Sequence, residues 1–191
     1  MAPARRVALP IVAAIDIHTV GHSTRSPDQL LEILRAAQVV ALVDVRSFPS
    51  SRRHPHFNRG ALEQWLPEAG IDYVYLGELG GRRDPVPGSP NAGWRERGFR
   101  GYADHMASSD FNGGLERLEE LARMKSTAVM CAEALWWRCH RRLIADVLTV
   151  RGWEVRHIGS GAAVKHELTP FAEVGGGGAV TYPPPQTSLE V

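Results

Sequence analysis

The feature that most constrains this 191-residue chain is the order in which two hydrophobic periodicities alternate along it. Short apolar runs at residues 15–20, 39–45, 72–76, 128–130 and 154–158 have the length and composition of buried strands. Helical patterns lie between them, and that alternation predicts an α/β domain: a three-layer, open, mainly parallel sheet of about five strands with helices on both faces. The first helix is the best marked. Ser26 and Gln29 make a capping box, Pro27 sits at the first helical position, and Leu30, Leu31, Ile33, Leu34 and Ala37 supply a buried face. Further helices are expected at 61–68, 114–124 and 138–150. Residues 77–98 are rich in Gly and Pro and read as a long functional loop or lid.

Residues 1–14 are expected to be an extension and 15–168 the domain, with 169–191 a disordered Gly/Pro-rich tail. Two cysteines are too few for a disulfide framework, which points to a reducing, cytoplasmic setting. No apolar run approaches the roughly 20 residues of a membrane span, so no membrane partner is expected.

Charge narrows the partners. Lys and Arg number 22 against 21 Asp and Glu, a formal net charge of +1, which excludes a surface that coats a polyanion everywhere. The basic residues nevertheless cluster. Segments 46–60, 82–100 and 138–142 together carry an excess of ten positive charges, so the rest of the chain is net negative. An anionic small molecule or a stretch of nucleic acid is the partner such clustering suits.

In open parallel sheets, ligands sit beyond the carboxyl ends of the strands. The residues expected there are His22 and Ser23 after the first run, Asp44 and Arg46 at the end of the second, and Arg82 beyond the third. Cys131 and Glu133 follow the fourth. Loops are polar in any case, so no one of these residues identifies a site by itself.

The segment from Cys131 to Arg142 is the most informative. Cys139, Leu143, Val147 and Val150 recur at helical spacing, which assigns Cys139 to core packing. Arg138, His140, Arg141 and Arg142 would then crowd the first turn of a helix, where the backbone already presents positive charge. Something negative should lie near: Glu133, Asp44, Glu78 or a bound anion. Cys131, ending a strand before that terminus, is the candidate nucleophile, with Glu133 or His140 as acid/base. Arg46, Arg138 and Arg141 would neutralise an anion, with Arg82, His22 and Ser23 nearby and Asp44 in support.

Other chemistries fit less well. Arg138 follows Cys131 after six residues rather than the five of a phosphatase loop. Cys131, Cys139 and His140 with His54 and His56 match zinc spacing poorly, so no metal is expected. The nucleotide loops GxxxxGK[ST] and GxGxxG are lacking, and no cofactor is expected. Phe57, among arginines and histidines, offers a small stacking platform. The order of Asp44-Val-Arg46 after one strand and Cys131 after another loosely resembles rhodanese sulfurtransferases.

A closer resemblance rests on Thr19-Val-Gly-His-Ser23, Asp44-Val-Arg46 with Pro49 and Ser50, Leu79-Gly-Gly-Arg82, Gly101-Tyr102, and Cys131-x-Glu133-x5-Cys139-His140-Arg141. In that order, over about residues 17–158, the chain resembles domain-of-unknown-function family 488. The resemblance implies a cytoplasmic, mainly prokaryotic α/β domain and brings no reaction with it. Three functions therefore stay open: an enzyme acting on a phosphorylated or nucleic-acid-derived substrate in an Arg-rich pocket, a non-catalytic binding module for the same anions, and sulfur transfer through Cys131.

Overall fold

The computed structural model describes residues 16–185; the expected extension at 1–14 and residues 186–191 of the expected tail lie outside them. Five strands run parallel: β1 (Asp16–Gly21), β2 (Ala41–Asp44), β3 (Asp72–Tyr75), β4 (Thr127–Cys131) and β5 (Glu154–His157). A two-residue strand, β6 (Val164–Lys165), adds to β5 antiparallel, giving the order β3-β2-β4-β1-β5-β6. The domain is α/β with a mixed, mostly parallel sheet, as the alternating periodicities predict.

Each buried strand is apolar on both faces because helices cover both. On one face α1 (Pro27–Ala36) and α2 (Arg59–Glu68) bring Leu30, Leu34, Leu62 and Leu66 against Val20, Leu42, Ala128 and Met130. On the other face lie α3 (Arg97–His105), α4 (Ser109–Met124) and α5 (Arg141–Val150). Here Tyr102, Leu115, Leu118, Leu143 and Ile144 pack on Ile17, Val43, Val129 and Val155. The capping box of α1 forms as its sequence dictates: Gln29 N–H donates to Ser26 Oγ at 3.2 Å and Ser26 N–H to Gln29 Oε1 at 2.9 Å. No helix among the described residues is long and apolar enough to cross a membrane.

One helix is added to those expected, and two expectations need correction. The helix α3 lies beyond the long loop and its two glycines gave no helical signal; tertiary contact makes it, with Tyr102 fully buried and donating to the Leu79 carbonyl at 2.9 Å. Helix α5 begins at Arg141 rather than at 138, because residues Trp136–Arg138 form a separate 3-10 turn and His140 is the N-cap.

The tail is the second correction. Instead of disorder from residue 169, β7 (Glu173–Val174) and β8 (Val180–Thr181) pair antiparallel. Gly177 and Gly178 take φ of 71° and 78° in the turn between them, the conformation that favours glycine. The hairpin is anchored by Tyr182, which is fully buried against Trp94 and Phe171 and donates its hydroxyl to Asp146 Oδ2 at 2.7 Å. A composition that reads as low complexity hides one aromatic anchor.

Candidate active site

The carboxyl ends of β1, β2 and β4 meet at a cleft of about 780 Å³. His22, Ser23, Arg46, Arg82, Cys131, Glu133, Arg138 and His140 all line it, so eight of the ten residues expected at a site are brought together. Asp44 and Arg141 lie behind its wall, buried.

Arg46 is a wall post rather than an open anion hook. Its Nε and Nη2 donate to Asp44 at 2.9 and 2.6 Å, Nη2 also donates to the Phe57 carbonyl at 2.7 Å, and Nη1 donates to His22 Nε2 at 3.1 Å. Tyr73 completes Asp44 from β3 at 2.8 Å. His22 donates Nδ1–H to the Ser23 carbonyl at 3.0 Å, which leaves Nε2 as the acceptor for Arg46. Burial and then the Arg46 charge push the His22 pKa down to about 4, so the ring is neutral. Phe57, expected as a stacking platform, is fully buried beneath His22 with centroids 4.3 Å apart. The exposed aromatic in the cleft is Phe48, with Arg82 over its ring at 5.6 Å.

On the opposite side β4 and the start of α5 bring two sulfurs and a ring nitrogen together. His140 Nδ1 lies 3.6 Å from Cys139 Sγ and 3.9 Å from Cys131 Sγ, and His140 donates Nε2–H to the Val45 carbonyl at 3.1 Å. That bond assigns the tautomer and turns the Nδ1 lone pair toward the thiols. The ring packs directly on Gly81, where a Cβ would come within 2.3 Å of Nδ1. Gly21 plays a similar part at the end of β1, where a Cβ would meet the Glu133 carbonyl oxygen at 2.0 Å.

Arg141, only 1% exposed, donates Nε–H to Cys139 Sγ at 3.4 Å, Nη1–H to Thr19 Oγ1 at 3.4 Å, and Nη2–H to the Glu133 carbonyl. No ion pair joins it to a carboxylate among the described residues. The negative groups expected beside this helix start are engaged elsewhere: Asp44 with Arg46, Glu78 with Arg117, and Glu133 Oε1 with the Leu135 N–H. The buried guanidinium therefore makes negative charge on the adjacent sulfur favourable. Burial pushes the Cys139 thiol up, but the facing Cys131 thiol and the Arg141 charge outweigh it and hold it well below the ordinary range. Cys131, as the donor in that pair and itself buried, is pushed well above.

The sequence reading missed Cys139, assigned to packing. It is both: 4% exposed on the apolar stripe of α5, with its sulfur at the cleft. The adjacent Cys139-His140 pair was the available signal. Cys131, Cys139 and His140, which with His54 and His56 match zinc spacing poorly in the sequence, bring three ligand atoms within 4.8 Å of one another. The charge clusters, by contrast, disperse. Arg59 pairs with Glu63, Arg97 with Asp84, Arg100 reaches the Trp94 carbonyl and Arg142 reaches Thr169. Of the clustered arginines, Arg46, Arg82 and Arg138 line the cleft, where Glu96 and Glu133 partly offset them.

No curated protein and no solved structure gives a significant match to the chain. A family model does, over residues 26–148, a span that holds Asp44, Arg46, Cys131, Cys139, His140 and Arg141 but stops short of His157. By that match over more than half of its length, the chain belongs to the family described as domain of unknown function DUF488.

Proposed function

We propose that this protein is an enzyme acting on a phosphorylated or nucleic-acid-derived anion held in the cleft, with the chemistry carried by Cys131, Cys139 and His140. The convergence of two sulfurs and an unprotonated ring nitrogen on one cleft supports the reading most strongly. Arg82 and Arg138 are exposed on that cleft without an ion-pair partner among the described residues, and they are the groups to receive the anion. Phe48 beneath Arg82 offers a flat apolar face to a base. In the metal-free chain Cys131 keeps its proton at rest; as its sulfur bonds to phosphorus and the ester P–O bond breaks, His140 Nδ1 takes that proton and returns it to the departing oxygen, with Glu133 the second acid/base group at the cleft. Arg46 and His22 hold the wall in place.

Titration with a mononucleotide and with inorganic phosphate, followed calorimetrically, tests the anion site. The double substitution Arg82→Ala/Arg138→Ala should weaken binding at least tenfold and flatten its salt dependence. Binding unchanged in the double variant removes the reading. A Cys131→Ser variant that binds normally but turns nothing over separates catalysis from a purely binding role. The closeness of the two thiols also supports a second reading, sulfur transfer, in which a persulfide on Cys131 has a neighbouring thiol beside it. Mass spectrometry after incubation with thiosulfate should then show one added sulfur on Cys131, and its absence ends that reading.

A further inference from the structure

We infer that Cys131, Cys139 and His140 form a three-ligand site for a thiophilic divalent metal, zinc above all, with a fourth position open to the cleft. Around a tetrahedral zinc, Zn–S and Zn–N bonds of about 2.3 and 2.0–2.1 Å place sulfur and nitrogen ligands roughly 3.6 Å apart. His140 Nδ1 stands 3.6 Å from one sulfur and 3.9 Å from the other, and all three ligand atoms lie within 4.8 Å of one another. The set is nearly assembled: two thiolates on a tetrahedral zinc lie roughly 3.8 Å apart, so closing it draws the sulfurs together by at most about 1 Å.

The surroundings point the same way. A metal-bound imidazole characteristically donates its other N–H to a backbone carbonyl, which orients the ring and raises its basicity. His140 does so through Nε2 to Val45 at 3.1 Å. Arg141 donates Nε–H to Cys139 Sγ from a position without a carboxylate partner among the described residues, so its charge suits a sulfur that stays negative, as a metal-bound thiolate does. Gly81 keeps side-chain bulk off the ring face. Two thiolates and an imidazole favour zinc over magnesium or calcium, which prefer oxygen.

Three protein ligands and an open position are the arrangement of a reactive zinc site rather than a structural one. Cys131, Cys139 and His140 all line the cleft, so water or a substrate oxygen can complete the tetrahedron there. The inference rests on the proposed function for the cleft as a place of chemistry and alters one part of it: with metal bound, Cys131 is a ligand, and the attacking group is a water on the metal. Arg82 and Arg138 keep the same task.

The full chain, stripped of metal with a chelator under reducing conditions, should be titrated with Co²⁺ and then with Zn²⁺. One equivalent of Co²⁺ should raise the intense visible bands of a tetrahedral site and a near-ultraviolet thiolate-to-cobalt band, both displaced by one equivalent of Zn²⁺. Cys139→Ser and His140→Ala should each lower affinity by more than the roughly 10–100-fold that loss of a hydrogen-bonding partner behind a ligand causes. In the unsubstituted chain, zinc should protect both thiols from iodoacetamide, a readout that does not depend on a variant folding. Absence of the thiolate-to-cobalt band, or alkylation of both cysteines at the same rate with and without zinc, overturns the inference. Phosphate or nucleotide binding that still depends on Arg82 and Arg138 would then leave the anion site standing and remove only the metal.

Discussion

Two arginines are buried on opposite sides of the cleft, Arg46 at 6% exposure and Arg141 at 1%, and the chain treats them differently. Arg46 faces a carboxylate directly: Asp44 takes its Nε and Nη2 at hydrogen-bond distance, so the pair is closed and neutral. Arg141 has a sulfur, a hydroxyl and a carbonyl. Among the described residues its charge connects to a carboxylate through a relay with one consistent direction. Arg141 donates to Thr19, Thr19 to His157 Nδ1 at 2.7 Å, His157 Nε2 to His166 Nδ1 at 3.0 Å, and His166 Nε2 to Asp146 at 2.9 Å. A closed pair holds two strands together. An open guanidinium with a distant counter-charge leaves its field available to the nearest polarisable atom, Cys139 Sγ.

The largest effect should come from breaking the two arginines in parallel. Arg46→Met strands Asp44, 0% exposed, with Tyr73 and one backbone N–H, and should destabilise the fold by about 3–5 kcal/mol. Arg141→Met strands no carboxylate and removes a charge that is itself incompletely compensated. It should lower stability by less than about half as much, because its loss leaves a hydroxyl, a carbonyl and a sulfur that can take up a proton. Urea midpoints of the two variants give the comparison directly, and equal losses would break it.

Gly81→Ala probes the sulfur side. The new Cβ would lie 2.3 Å from His140 Nδ1 and must push the ring off the two thiols or move the loop. Overpacking of this kind should cost about 1–3 kcal/mol and weaken cobalt binding as well. A variant of unchanged stability and affinity would show that His140 is free to move and that its alignment with the sulfurs is incidental.

These contrasts also mark what was legible in the chain. The order of strands and helices follows from periodicity, and the collection of strand-end residues at one edge follows from parallel topology. Such rules place Cα atoms; they do not say which donors are already engaged. Arg46 and Arg138 look alike in the sequence, yet one is locked by an aspartate two residues before it and the other is exposed. Cys139 differs for a related reason: helical spacing correctly reports its burial, but a buried sulfur at a helix start can also face a cleft. Charge clustering misled most, because long arginine side chains from one segment reach acids and carbonyls on several elements.

A smaller effect should appear in the relay on acidification. Burial, then the neighbouring His166 and the Arg141 charge, lowers the His157 pKa from 6.5 to about 3, while Asp146 lies beyond His166 and Trp136 stacks on the ring at 4.0 Å. The unfolded chain therefore binds a proton there that the folded chain refuses. Stability from this group is complete above about pH 6.5 and is lost as pH falls toward 3, amounting to about 2 kcal/mol between pH 7 and pH 5. In His157→Gln the stability profile should be flatter by that amount over the same window. A profile of unchanged slope would mean that the ring is protonated in the fold, and that Arg141 is less isolated than its contacts imply.

The smallest predicted effect lies at the far end of the relay, where Asp146 accepts from His166, the Thr169 N–H, the Thr169 hydroxyl and the Tyr182 hydroxyl. Tyr182→Phe keeps the ring against Trp94 and Phe171 and deletes one of those four donors. It should cost about 1 kcal/mol, since the other three still satisfy the carboxylate. Tyr182→Ala should also release the β7–β8 hairpin, which has few other buried contacts, and proteolysis should then cut near residues 175–178 before the rest of the domain. If Tyr182→Phe alone exposes that segment, the hydroxyl rather than the ring anchors the hairpin. If neither substitution does, the hairpin is held by the Tyr182 N–H on Asn91 and the Tyr182 carbonyl on the Gly93 N–H, contacts that any residue at that position would make.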